Sequence, residues 1–183
     1  VGHKLKITEN LKSTYSCWGT PEFNALNWPC WEIALDILSS GRSMIKLDTD
    51  IVVRQNFEKE LLSQLDPISF DFLFQEDIPN LLCAGFCAIH HKSYSTIKQI
   101  FKEDFLSKQG YLNNCDQKIL RSLVDEKIIK VKLLSSDKYP SGKSFYDQHE
   151  KIKDHCKLIH FNWIPSGKKD KIKKMKDHNC WLP

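Results

Sequence analysis

"MIKLDTDIVV", residues 44–53, is an apolar run broken by two carboxylates, Asp48 and Asp50. Its aliphatic and β-branched residues predict one buried strand across 44–53. Taking a carboxylate out of water is costly unless it is paired or bound to a metal, so the acids need a cation or an exit to solvent. In an extended segment the period of two puts both side chains on one face, roughly 6 to 7 Å apart, close enough to engage one divalent ion or its water shell. Asp-x-Asp spacing by itself arises by chance in a chain rich in aspartate. Its place after an apolar strand is what gives it weight.

Working outward, "NWPCWEIALDILSSG" before this run predicts a helix, with Asn27 as cap, Pro29 in the first turn, Trp31, Ala34, Leu35 and Leu38 at helical spacing, and Gly41 as stop. After it, "FEKELLSQL" predicts a helix and "DFLFQED" a short strand. "LLCAGFCAIHH" predicts a second apolar strand, and "SYSTIKQIFKEDFLSKQG" an amphipathic helix capped by Ser93 or Ser95 and ended by Gly110. "NNCDQKILRSLVDE" predicts a helix capped by Asn113 or Asn114, and "KIIKVKLL" a strand. "SSDKYPSGKSFYDQHE" predicts loop and "CKLIHFNWI" a last strand. Alternating strands and helices indicate α/β architecture, with a mixed, mainly parallel sheet covered on both faces. Ligands of such sheets bind outside the carboxyl ends of the strands, where Asp48 and Asp50 sit.

The 183 residues, 41% hydrophobic and 27% charged, suit one soluble domain. No apolar stretch reaches the roughly 18 residues of a membrane span, and the start "VGHKLKITEN" has no signal-peptide core. The seven cysteines are an odd number without the dense spacing of a disulfide scaffold, and no N-x-Ser/Thr sequon occurs. These features predict reduced thiols and a cytoplasmic location, with the Golgi lumen open to a chain that has an N-terminal anchor. Cys83, Cys87 and His90 or His91 invite a zinc reading, but on one strand the two thiols lie about 13 Å apart, too far to share a tetrahedral ion. Core packing is the expectation for both. The net charge of +4 gathers in "SGKKDKIKKMKDH", either a solvated helix face or an anion-binding surface.

"DTDIV" formally fits the Asp-x-Asp-x-Thr/Val of haloacid-dehalogenase-type phosphatases, with Asp48 as nucleophile and Asp50 as acid/base. That class needs a later acidic pair beside a Gly-Asp and normally places its motif on the first strand, whereas here 47 residues precede Asp48. A basic nucleic-acid module using the C-terminal lysines with Trp163 and Trp181 is a second rival, and it leaves the acid pair unexplained.

"TPEFNALNWPCWEIALDILSSGRSMIKLDTDIVV" resembles the helix, turn and "D.D.v" strand of the nucleotide-diphospho-sugar transferase family. "AGFCAIHHKS", "NNCDQKIL", "YPSGKSFYD" and "LIHFNWIPSGKKDKIKKMKDHNCW" follow in the order and at about the distances of that family's later blocks, covering residues 20–182. The compact size also looks like the soluble transferases of some large DNA viruses of algae. The resemblance implies a single GT-A, Rossmann-like domain over 1–183, with the first strand and the loop that grips uracil and ribose at most partly represented before "HKLKIT". It implies a transferase moving a sugar from a UDP-sugar to a hydroxyl of a glycan or glycoprotein, with retention.

By the same resemblance, Asp48, Asp50 and His160 hold Mn²⁺ or Mg²⁺. A mixed oxygen and imidazole shell favours manganese. Thr49, Asn162, Gly167, Lys168 and Lys171 would join the donor-diphosphate site, the glycine allowing close backbone approach and a lysine meeting the leaving diphosphate. Asp116 and Gln117, in the first turn of a helix, would face the donor sugar or acceptor hydroxyl, although an acid there is also favoured by the helix dipole alone. Cys83 stands where the family often has a sugar-facing Asn.

Overall fold

The computed structural model describes residues 16, 18–65, 68–103, 115–164 and 167–181. Helix α1, Pro21–Ser39, begins at a Thr-Pro pair rather than at Asn27. Thr20 Oγ1 accepts from the Phe23 N–H at 3.3 Å, and Pro21 occupies the first turn, where its missing N–H costs nothing. Pro29 therefore lies inside the helix. The buried face of α1, with Trp31, Ala34 and Leu38, lies on the sheet and anchors it there.

The run 44–53 is two strands, not one. β1, Met44–Leu47, ends before Asp48, and β2, Ile51–Val53, belongs to a different sheet. Residues 48–50 turn between them, with the Asp48 N–H on Gly85 O at 2.8 Å and the Ile51 N–H on Asp48 O at 3.2 Å. The acids interrupt the apolar run because they form a corner. Helix α2, Glu58–Ser63, follows, and then a hairpin of β3, Phe72–Ile78, and β4, Leu81–Ile89, turns at Pro79 and Asn80, the latter at φ 67°.

After a short 3₁₀ turn at His91–Ser93, α3 spans Tyr94–Glu103 and α4 spans Asp116–Asp125. Gly110, Asn113 and Asn114, the expected helix stop and caps, lie outside the described residues. Cys115 is the N-cap of α4. β5 is Val131–Leu134. The segment expected as loop contains helices α5, Gly142–Asp147, and α6, His149–Ile152. Ser141 Oγ caps α5 by accepting from the Ser144 N–H at 3.3 Å, and Phe145 is buried, which together hold a turn that periodicity alone is too short to reveal. β6, Leu158–His160, and α7, Lys168–Asp177, complete the order.

The main sheet runs β1-β4-β3-β5. β4 is antiparallel to both of its neighbours and β5 is parallel to β3, so β1, β3 and β5 run one way and β4 is reversed between them. The sheet is thus mixed, with three of its four strands in a common direction. Among the described residues only β3–β5 is a parallel contact, because the reversed strand sits inside the sheet rather than at its edge. Alternation sends Phe72, Phe74, Cys87 and Ile89 into one core with α1, α3 and α4, and Leu73, Phe86 and Ala88 into a second with α2, Tyr139 and Leu158. A smaller cluster around Phe145, Ile159, Phe161 and Met175 joins β6 to α7, beside the antiparallel pair β2-β6.

One irregularity prepares the site. Phe74 pairs with Cys87 but Gln75 pairs with Cys83, so Ala84, Gly85 and Phe86 bulge from β4, and a second shift follows between Glu76 and Ile78. Bulges of this kind re-aim side chains next to functional sites. Here they bring Gln75 and Asp77 of β3 and the Ala84–Gly85 backbone to the carboxyl ends of β1 and β3.

Candidate functional site

Asp48, at the end of β1, and Asp50, just before β2, meet His160, the last residue of β6. Each offers one ligand atom, and these atoms lie within 4.8 Å of one another, making the single metal-capable group among the described residues. The β2-β6 pairing, with Ile51 opposite His160, is what carries a histidine 110 positions downstream to the acids.

Each carboxylate has one oxygen taken. Lys46 Nζ lies 2.8 Å from Asp48 Oδ1, and Lys171 Nζ, from α7, lies 2.6 Å from Asp50 Oδ2. The other oxygens turn inward: Asp50 Oδ1 is 3.2 Å from His160 Nε2, and Asp48 Oδ2 and the His160 ring flank the α-carbon of Gly85. A β-carbon at Gly85 would stand 2.4 Å from His160 Cε1 and 2.7 Å from Asp48 Oδ2, so the bare glycine keeps the meeting point open. Two inward carboxylate oxygens and an imidazole nitrogen converging on one point fit a divalent first-row cation, whose charge two carboxylates balance. The lysines steady the acids without occupying that point.

Charge at the site follows from these contacts. Burial pushes the Asp50 carboxyl up, but hydrogen bonding to His160 and the charges of His160 and Lys171 outweigh it and hold the group well below its ordinary range. Burial likewise disfavours a charged His160, yet Cys83 and Asp50 outweigh it and raise the ring to about 10 in the absence of a cation. Lys46, 8% exposed on β1, stays charged against burial because Asp48 faces it. It also donates to Ala84 O at 2.8 Å and lies over the Trp31 ring.

The remaining expected residues fall into three groups. Thr49 is exposed at the corner, and Lys168 is exposed on the first turn of α7. Gly167, at φ 98°, is the N-cap of α7 and needs the freedom of glycine. Asn162 lies beside the triad, with Oδ1 accepting from the Gly142 N–H at 2.6 Å and Nδ2 donating to Asp77 Oδ1 at 3.3 Å.

Asp116 is buried at the start of α4. One oxygen accepts the Trp31 indole N–H at 3.0 Å and the other the Gln117 N–H at 2.8 Å. Burial raises its pKa, with Lys46 and Trp31 opposing. Gln117 accepts from the Ala84 N–H at 3.0 Å and donates to Asp77 Oδ2 at 3.3 Å. Gln117 therefore grips the bulge beneath the triad, while Asp116 ties the start of α4 to Trp31 of α1.

Sequence reasoning did not single out Gln75, Asp77, Gly85 or Lys46 as site residues. Asp77, 6% exposed, accepts from Gln117, Arg121, Asn162 and the Trp163 indole, the last at 2.8 Å. The signal available was a polar pair in "DFLFQED", a strand otherwise buried on both faces, where each polar group must find a partner. Cys83 and Cys87 are both buried, as expected of core thiols, and Cys83 Sγ also lies 3.6 Å from His160 Nδ1.

Residues 2–175 match the sequence model of a family described as nucleotide-diphospho-sugar transferases. In shape the chain is similar to a glycosyltransferase involved in glycosylation of the major capsid of PBCV-1, with TM-score 0.56 and 14% identity, over 85% of this chain and 76% of that one. It is also similar to the glycosyltransferase GlyE of Streptococcus pneumoniae TIGR4, with TM-score 0.52 and 16% identity over 81% of this chain, spanning 43% of GlyE. Mouse xyloside xylosyltransferase 1 shares TM-score 0.50 and 9% identity, over 76% of this chain and 66% of the mouse protein. No curated protein is significantly similar in sequence. No helix among the described residues is long and apolar enough to cross a membrane.

Proposed function

The chain belongs to the nucleotide-diphospho-sugar transferase family and has the GT-A glycosyltransferase fold, and from that premise we propose a metal-dependent enzyme that moves a sugar from a UDP-sugar to a hydroxyl of a glycan or glycoprotein, with retention. The observation that carries the reading is the convergence of Asp48, Asp50 and His160 on one point, with their outer oxygens held by lysines. Family membership displaces the phosphatase and nucleic-acid readings, and it gives the acid pair the partner those readings lacked.

In this proposal Asp48, Asp50 and His160 hold Mn²⁺, or Mg²⁺, whose charge, when bound, offsets the negative charge of the donor diphosphate. Lys171, already beside Asp50, adds a positive charge where the diphosphate leaves, so it stabilises the transition state more than the ground state. Gly167, at the N-cap of α7, lets backbone approach the same anion, and exposed Lys168 stands in the adjoining turn. Thr49, on the corner between the two acids, lines the donor site. Gln117 holds the Ala84 backbone under the reacting sugar, with Asp116 fixing the turn that carries it, and Asn162 ties the start of α5 to the same edge.

Calorimetry or thermal shift with a panel of nucleotides and UDP-, GDP- and ADP-sugars, with and without Mn²⁺, tests the proposal. UDP and at least one UDP-sugar should bind in a manner abolished by EDTA. Absence of metal-dependent binding of UDP and of every UDP-sugar would overturn it.

A further inference from the structure

We propose that Gln75 is a positioning residue that fixes His160 with a proton on Nδ1 and so presents Nε2 to the cation. The argument deepens the metal reading, but it stands on contacts present without a metal. Gln75 is fully buried, at 0% exposure, in the strand β3. Its Nε2 donates to two backbone carbonyls, Tyr139 O at 3.1 Å and Pro140 O at 2.9 Å. Flipping the amide would set its own oxygen against both carbonyls, three lone-pair-bearing atoms with no hydrogen between them, so only one orientation is available.

In that orientation Oε1 lies 2.8 Å from His160 Nδ1. A carboxamide oxygen only accepts, so Nδ1 must carry the hydrogen. The Cys83 sulfur, 3.6 Å from the same nitrogen, is a weak alternative partner. Nε2, facing Asp50 Oδ1 and the space over Gly85, is then the nitrogen that a metal can claim by displacing its proton. The β3-β4 register shift after Phe74 is what swings Gln75 to this place. The carbonyls that hold it immediately precede Ser141, the cap of α5, so strand end, loop and histidine share one lock.

The full chain labelled with ¹⁵N-histidine, observed by NMR without metal and with diamagnetic Mg²⁺, tests the proposal, together with Mn²⁺ titration of wild type and Gln75→Met. His160 Nδ1 should be protonated in both spectra, with Mg²⁺ shifting Nε2. Gln75→Met, similar in length but unable to accept, should show faster exchange of that proton and roughly 10- to 100-fold weaker Mn²⁺ binding. A wild-type Nδ1 without a proton, or unchanged Mn²⁺ affinity in Gln75→Met, overturns the proposal. If the variant does not fold, the wild-type spectra decide alone. Mn²⁺ binding absent from wild type, with Nδ1 protonated, would sink the metal reading while upholding the hold of Gln75 on the ring.

Discussion

Two acid sites lie at the same end of the sheet, and their partners separate them. Asp77, near the end of β3, has both oxygens doubly engaged: Oδ1 by Asn162 and the Trp163 indole, Oδ2 by Gln117 and Arg121. Asp48 and Asp50, after β1, each have one oxygen on a lysine and one turned toward His160 over Gly85. A carboxylate saturated by protein donors is a fastener. Two half-saturated carboxylates converging with an imidazole are a place for a cation. Asp77 is buried and Asp48 and Asp50 are half-buried, but the count of unused lone pairs decides.

The largest expected effect falls on the fastener. Asp77→Ala leaves Arg121, Trp163, Asn162 and Gln117 without their shared acceptor, and breaking such a buried cluster costs about 3 to 5 kcal/mol. Urea unfolding measures it, and a loss below about 1 kcal/mol would erase the distinction between the two acid sites. Trp163 adds a local sign. It holds φ 61°, unusual for a bulky residue, with its ring half exposed while its N–H is fixed on Asp77, so the variant should also free this indole, visible as a red-shifted fluorescence component.

Next in size is the ligand pair. Asp50→Asn removes the charge but not the shape, and should weaken Mn²⁺ binding by at least about 100-fold, since losing a direct ligand exceeds the loss from a supporting one. The contrast is sharpest in thermal melts. Mn²⁺ should raise the melting temperature of wild type and of Asp77→Ala but leave Asp50→Asn unmoved. A full Mn²⁺ response in Asp50→Asn would remove this acid from the site.

The same contrast explains what the sequence discloses. The meeting of Asp48, Asp50 and His160 was expected, the acids from their place after an apolar strand and the histidine from the resemblance to the transferase family. The α/β order was legible from alternation and turn residues. Gln75 and Asp77 were not, because their meaning lies in partners 40 to 86 positions away, and a polar residue in a strand does not announce which element will meet it. The corner at 48–50 was hidden for a similar reason: its stop is the hydrogen bond to Gly85 O, supplied by another strand. Short helix α5 escaped because a serine cap and one buried phenylalanine make no periodic pattern.

A third test asks how tightly the open point is built. Gly85→Ala would push a methyl carbon into the space between His160 Cε1 and Asp48 Oδ2, and the bulge must shift to admit it. About 1 to 3 kcal/mol of stability and roughly tenfold in Mn²⁺ affinity should be lost together. At the fastener no such coupling is expected, so a Gly85→Ala protein that binds Mn²⁺ normally would show that the bulge, not the glycine, makes the room.

The smallest effect is a slope with pH. In metal-free protein His160 holds its proton more tightly folded than unfolded, so the stability it adds is complete below about pH 6.5 and is lost as pH rises toward about 10. Half-buried Cys30, raised to about 12, adds a slope of the same sign only above pH 9, where an exposed thiol titrates. Asp116, raised by burial, adds one of the same sign above the ordinary carboxylate range, so the difference between wild type and His160→Gln isolates the histidine. Urea midpoints should fall between pH 6.5 and 9 more steeply in wild type than in His160→Gln. Saturating Mn²⁺ should flatten the wild-type curve, because a cation that displaces the Nε2 proton leaves nothing on that nitrogen to titrate. A wild-type slope unchanged by Mn²⁺ would mean that His160 keeps its Nε2 proton with metal present, and would leave the two carboxylates as the only protein ligands.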